Sequence, residues 1–168
     1  MSEIQYERAL SLLAEPESYP LLPQRNFIRL LRVWVYPTFA PCVAWSLAQA
    51  GGQFYIRRVV WDQVHTVDLE PNTFGTELPV PEETFRKLLA ELRAMQLTPF
   101  TSTSSTGVDG TSYGVEVGTL NPSGRLSWWG KPPEAWASLQ DWHTCATELF
   151  ESLLPPSTPD LRRLGTSS

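Results

Sequence analysis

Between Ser112 and Gly118 the side chains change character at every step: Tyr113, Val115 and Val117 alternate with Ser112, Gly114, Glu116 and Gly118. A period of two is that of a strand with one buried face. Asp109-Gly110 ahead of it is a turn dipeptide, Asn121-Pro122-Ser123-Gly124 turns the chain again, and Arg125 to Trp129 reads as the return strand. This span predicts a β-hairpin whose apolar face another layer must cover.

Elsewhere the period is helical. Ile4, Tyr6, Ala9, Leu10 and Leu13 predict a first helix from Glu3 to Ala14, with Ser2 and Gln5 placed as a capping box and Pro16 ending the pattern. Phe85, Leu88, Leu89 and Leu92 keep i, i+3, i+4, i+7 spacing after Pro81-Glu82-Glu83, so a second helix runs to about Met95 and shows Arg86, Lys87, Glu91 and Arg93 to water. Pro132-Pro133-Glu134 opens a third helix that carries Trp136, Leu139, Trp142, His143, Ala146, Leu149, Phe150 and Leu153 and stops before Pro155-Pro156.

From Phe27 to Trp61 the chain is rich in Val, Ile, Trp, Tyr and Phe and is broken by Pro37, Pro41 and Gly51-Gly52, which predicts a meander of three strands. Strict alternation in the first of them sets Phe27, Arg29, Leu31, Val33 and Val35 on one face and Ile28, Leu30, Arg32, Trp34 and Tyr36 on the other. Both faces are largely apolar, so this strand belongs in the middle of the sheet. Gln63 to Leu69 reads as a further short strand and PNTFGTELPVP as a loop; EPESYPLLPQR reads as an extended, non-helical surface connector, and TSTSST as a strand edge.

The order of elements predicts an α+β fold: a single twisted antiparallel sheet of about five to seven strands with three helices packed mainly on one face and the other face partly open. Residues 1–155 form one globular domain, and 156–168 a flexible tail.

Composition then narrows the chemistry. A chain of 168 residues needs only one domain, and its 42% hydrophobic and 18% charged residues, with seven tryptophans, describe a folded, aromatic-rich protein. The net charge of −5 removes a general attraction to phosphate backbones or anionic lipid, so nucleic acid and membrane are not expected partners. Cys42 and Cys145 form no paired motif, the two histidines are far apart, and no stretch approaches a membrane span or a signal peptide. The expectation is a cytoplasmic protein with reduced thiols and neither metal nor cofactor.

Six residues stand out as candidates for binding. His143 lies on the apolar stripe of the third helix; without a nucleophile motif or an orienting carboxylate it reads as a core-edge histidine before it reads as a general base. Tyr113 and Glu116 share the hairpin strand, where Gly114 and Gly118 leave bare surface around the carboxylate. Arg57, like Arg29, Arg32 and Arg58, falls in an apolar strand and needs solvent, a carboxylate or an aromatic face. Trp128 and Trp129 point to opposite faces, so one needs cover of its own, from a neighbouring element or from a second chain.

The run DGTSYGVEV, then LSWWG, PPEAW and a final amphipathic helix, resembles a pattern found among small bacterial proteins without an assigned activity. It covers residues 109 to about 154 and implies a bacterial single domain, with no functional residue.

These features favour a non-enzymatic protein-interaction domain of bacterial immunity, antitoxin-like or accessory type, acting on a protein partner or as a homodimer. The competing reading is a hydrolase or small-molecule binder with a pocket between sheet and helices, where His143, Glu116, Tyr113 and the sheet arginines converge. His143 beside a carboxylate in an open cleft would mark that second reading.

Overall fold

The computed structural model describes residues 3–63, 72–98, 109–118 and 123–155. Among them six strands form one antiparallel sheet: β1 (Ile28–Pro37), β2 (Cys42–Ala50), β3 (Gln53–Trp61), β4 (Thr73–Val80), β5 (Thr111–Val117) and β6 (Gly124–Trp129). Their spatial order is β4-β3-β2-β1-β5-β6. Three α-helices accompany them, α1 (Glu3–Ala14), α2 (Glu83–Ala94) and α3 (Ala137–Leu153). The α+β class with a single sheet is therefore the observed one. A meander β1 to β4 builds outward from β1, the chain recrosses through α2, and the β5–β6 hairpin adds to the other side of β1.

The sheet carries a core on each face. Leu31 and Val33 of β1, Trp45 and Leu47 of β2, Ile56 of β3 and Val115 of β5 pack beneath α2 and α3, through Phe85, Leu139, Ala146 and Phe150. Burying one such side chain contributes about 1.5–3 kcal/mol, so this layer dominates stability. Trp142 Nε1 donates to Leu88 O at 3.0 Å and locks α3 to α2. Trp34, Cys42, Ala44, Val59 and Trp61 point the other way and are covered by Ala9 and Leu13 of α1. Two helices thus share one face, while the face expected to be partly open is closed at its centre by α1.

Three local expectations are corrected. PNTFGTELPVP is not a loop: Thr73–Val80 is strand β4, at the sheet edge, and Pro79 opposite Tyr55 is tolerated there because an edge strand has one side without ladder partners. The connector after α1 contains a 3-10 turn, Pro16–Ser18, and buries Tyr19, whose hydroxyl donates to Thr73 O at 2.9 Å. Strict alternation fails at the start of β1, where Arg29 pairs with Ala48 but Leu31 pairs with Leu47; this bulge puts Arg29 on the same face as Arg32. His65, most of the Gln63–Leu69 segment, TSTSST, Asn121-Pro122 and 156–168 lie outside the described residues.

Candidate functional site

The face beneath α2 and α3 brings together three of the six candidates. Tyr113 of β5 stacks on Trp128 of β6 with ring centroids 5.7 Å apart, and His143 of α3 meets both rings edge-on, at 5.7 and 5.3 Å. His143 is 3% exposed, and its Nε2 lies 3.1 Å from Trp34 O in the pair of strands that sets Trp34 opposite Gly114. A carbonyl only accepts, so Nε2–H is the donor. Burial pulls the imidazole below its ordinary value of 6.5, opposed by the Trp34 and Gly114 carbonyls. Its neighbours are backbone and rings rather than a carboxylate in a cleft. Trp128 is 5% exposed beneath α3, with its Nε1–H lacking an acceptor.

Glu116 and Arg57 sit on the opposite face. Glu116 takes Arg29 at 3.0 Å on one oxygen and Arg32 at 3.2 Å on the other, and Arg29 also reaches Glu17 at 2.7 Å. The surface beside it is not bare. The Trp34 indole lies against Gly114, where an added Cβ would sit 1.8 Å from the ring, and Arg32 and Arg125 lie over that ring at 4.6 and 5.0 Å. Glu116, Gly118, Ser123, Gly124 and Arg125 line an open depression of about 360 Å³. Arg57 is 0% exposed: its guanidinium donates to Glu77 at 2.6 Å, to Glu17 O at 2.6 Å and to Pro23 O, and lies 4.3 Å over Phe27. It pins the connector to the sheet. Arg58 points to the first face and reaches Glu151 at 2.5 Å.

The sheet therefore separates His143, Tyr113 and Trp128 from Glu116 and Arg57. Convergence in one pocket does not occur. Among the described residues no group of three His, Cys, Asp or Glu could hold a metal, and no helix is long and apolar enough to cross a membrane.

Trp129 leads to a different place. Its indole packs on Gly110, where an added Cβ would lie 2.6 Å from Nε1, and Gly110 in turn holds the β1–β2 loop. Thr38 N donates to Gly110 O at 2.9 Å, Thr38 Oγ1 donates to the same oxygen at 2.9 Å, and Gly110 N lies 3.2 Å from Oγ1. From the other side Gln63 Nε2 reaches the carbonyls of Pro37, Thr38 and Ala40 at 2.7, 3.2 and 2.9 Å. The loop is bounded by Pro37 and Pro41, and at its tip Phe39 is 72% exposed.

Phe39 escapes a reading of periodicity because it belongs to no repeating pattern. The available signal is an aromatic alone inside a proline-bounded turn, Pro-Thr-Phe-Ala-Pro. Its clamps, Gly110 and Gln63, are distant in sequence and come to it only through the strand order. No protein-family model, curated protein or solved structure matches the chain, so its function has to be read from its own surfaces.

Proposed function

We propose that this chain is a non-enzymatic protein-interaction domain that binds its partner through the end of the sheet holding Phe39, Gly110 and Trp129. The observation that carries the reading is Phe39 itself, held out to solvent on a loop fastened from both sides. Isolated exposed apolar residues are ordinary. An exposed phenyl ring on a loop already ordered by Thr38, Gln63 and two prolines is different, because docking it into an apolar pocket loses little conformational entropy. Half-buried Trp129 extends the same end with a second aromatic surface.

The fitting role is that of a small accessory protein of immunity or antitoxin-like type, which covers part of a partner's surface. A cytoplasmic setting suits the two unpaired thiols, buried Cys42 and exposed Cys145. The test is a photoreactive benzoylphenylalanine introduced at position 39 in living cells, with Arg93 on α2 as the control position. One discrete adduct with another protein, formed from position 39 and not from 93, is expected. No adduct, or the same adducts from both positions, would overturn the assignment of this surface.

A further inference from the structure

We infer that β6 is a dimerisation strand, pairing antiparallel with β6 of a second copy about a two-fold axis at Ser127 to give one continuous sheet across the two chains. This rests on the sheet edge; Trp129 is common to it and to the proposed partner surface, while Phe39 takes no part in the ladder.

Among the described residues the two edges of the sheet are finished differently. On β4 the hydrogen bond from Asp62 N to Asn72 O fixes which residues face β3, so Thr73, Gly75, Glu77 and Pro79 direct their backbone outward. That edge is blunted: Tyr19 donates to Thr73 O, the Tyr19 and Leu22 side chains lie against Gly75, and Pro79 has no N–H. On β6 the bond from Gly130 N to Thr111 O fixes the phase in the same way. Trp128, Leu126 and Gly124 exchange their bonds with β5, and Arg125 and Ser127 turn theirs away from it. The register to β5 runs from Ser112↔Trp129 to Val117↔Gly124 without a bulge, β6 contains no proline, and Ser127 is exposed. Such a strand is a template for another.

The sequence of the edge selects a second copy as its occupant. A two-fold ladder requires outward-facing residues to meet outward-facing residues, which allows an axis at any residue of the strand and none between residues. An axis at Arg125 would set two like charges opposite one another, an axis at Trp128 would set Arg125 against Lys131, and an axis at Trp129 would run the partner strand into Pro132 and Pro133, which offer no N–H. An axis at Leu126 would set Arg125 against Ser127 and Trp128 against Gly124, with no aromatic or acidic neighbour for the charge. An axis at Ser127 sets Ser127 against its own copy, and Arg125 against Trp129 of the other chain, twice. Arg125 already uses an indole as its neighbour within the chain, so the same cation–π chemistry is repeated across the interface. On the opposite face it sets half-buried Leu126 against Trp128, so both sides of the ladder are complementary.

Sedimentation velocity on the full chain across about 1 to 500 μM tests this, on the scale of edge interfaces with small buried area. Wild type is expected to shift from one to two chain masses. Ser127→Pro removes an outward N–H that β5 does not use, so it is expected to keep the wild-type circular dichroism and stay monomeric throughout. Should that variant fold poorly, Ser127→Cys in a Cys145→Ser background decides: mild oxidation is expected to give a reducible dimer in high yield, because the axis places the two positions opposite each other. A wild type that stays monomeric at 500 μM, a folded Ser127→Pro that still dimerises, or a Ser127→Cys dimer that does not crosslink would overturn the inference. Phe39→Ala is expected to leave the dimer unchanged, which keeps this result separate from that of the partner-binding surface.

Discussion

At Gly114 a missing side chain decides the structure of one face. The indole of Trp34 occupies the space where a Cβ would stand, 1.8 Å from its ring, and the same ring carries Arg32 and Arg125. Gly114→Ala is expected to cost about 3 kcal/mol, since neither the central strand nor the arginines can yield without losing contacts. Urea unfolding measures it, and a loss below about 1 kcal/mol would show that Trp34 can turn away. His143 is the other residue with a distinct expectation. Its pKa is lowered in the folded chain, so the unfolded chain binds the proton more readily, and stability is fully present above pH 6.5 and is lost as the pH falls through that value. His143→Gln keeps an N–H donor without a charge, and the stability difference between pH 7.5 and 5.5 is expected to shrink in that variant. An unchanged pH dependence would mean that other groups set it.

At the scale of elements, the docking of the connector 15–25 matters most. Arg57 holds the carbonyls of Glu17 and Pro23 and shares Glu77 with Arg25, which lies 2.7 Å from that carboxylate. Removing a buried, fully paired cation leaves several acceptors unmet, so Arg57→Ala is expected to destabilise by about 3–5 kcal/mol. Thermal and urea unfolding check this, and a loss under about 1 kcal/mol would assign the docking to Tyr19 instead. The helices and the β5–β6 hairpin were legible in the sequence because their patterns are local: Glu3–Ala14 follows directly from its apolar spacing and from Pro16, whereas the third helix begins at Ala137, after a 3-10 turn over Glu134–Trp136, and not at Pro132-Pro133-Glu134. β4 was hidden because its proline and glycine are loop-forming residues in any interior context. At an edge, Pro79 loses no ladder bond, and Gly75 makes room for the Tyr19 ring, where an added Cβ would lie 2.5 Å away. Amphipathic spacing showed that α1 lies on the sheet but carried no information on which face.

For the whole molecule, the grouping of the candidate residues depends on strand order. β1 between β2 and β5 places Trp34 beside Gly114 and brings Thr38 to Gly110; neither contact follows from local pattern. The same order sends His143 and Glu116 to opposite faces, and the proposed partner-binding surface is the sheet end with Phe39. Recovery of the tagged chain from its native lysate, with bound proteins quantified by mass spectrometry, tests this most directly when wild type is compared with Phe39→Ala. One protein is expected at near-stoichiometric yield with wild type and at least about tenfold less with Phe39→Ala, a difference of about 1.4 kcal/mol, while the two melting curves coincide. Equal recovery by both chains, or no partner with wild type, would contradict the account.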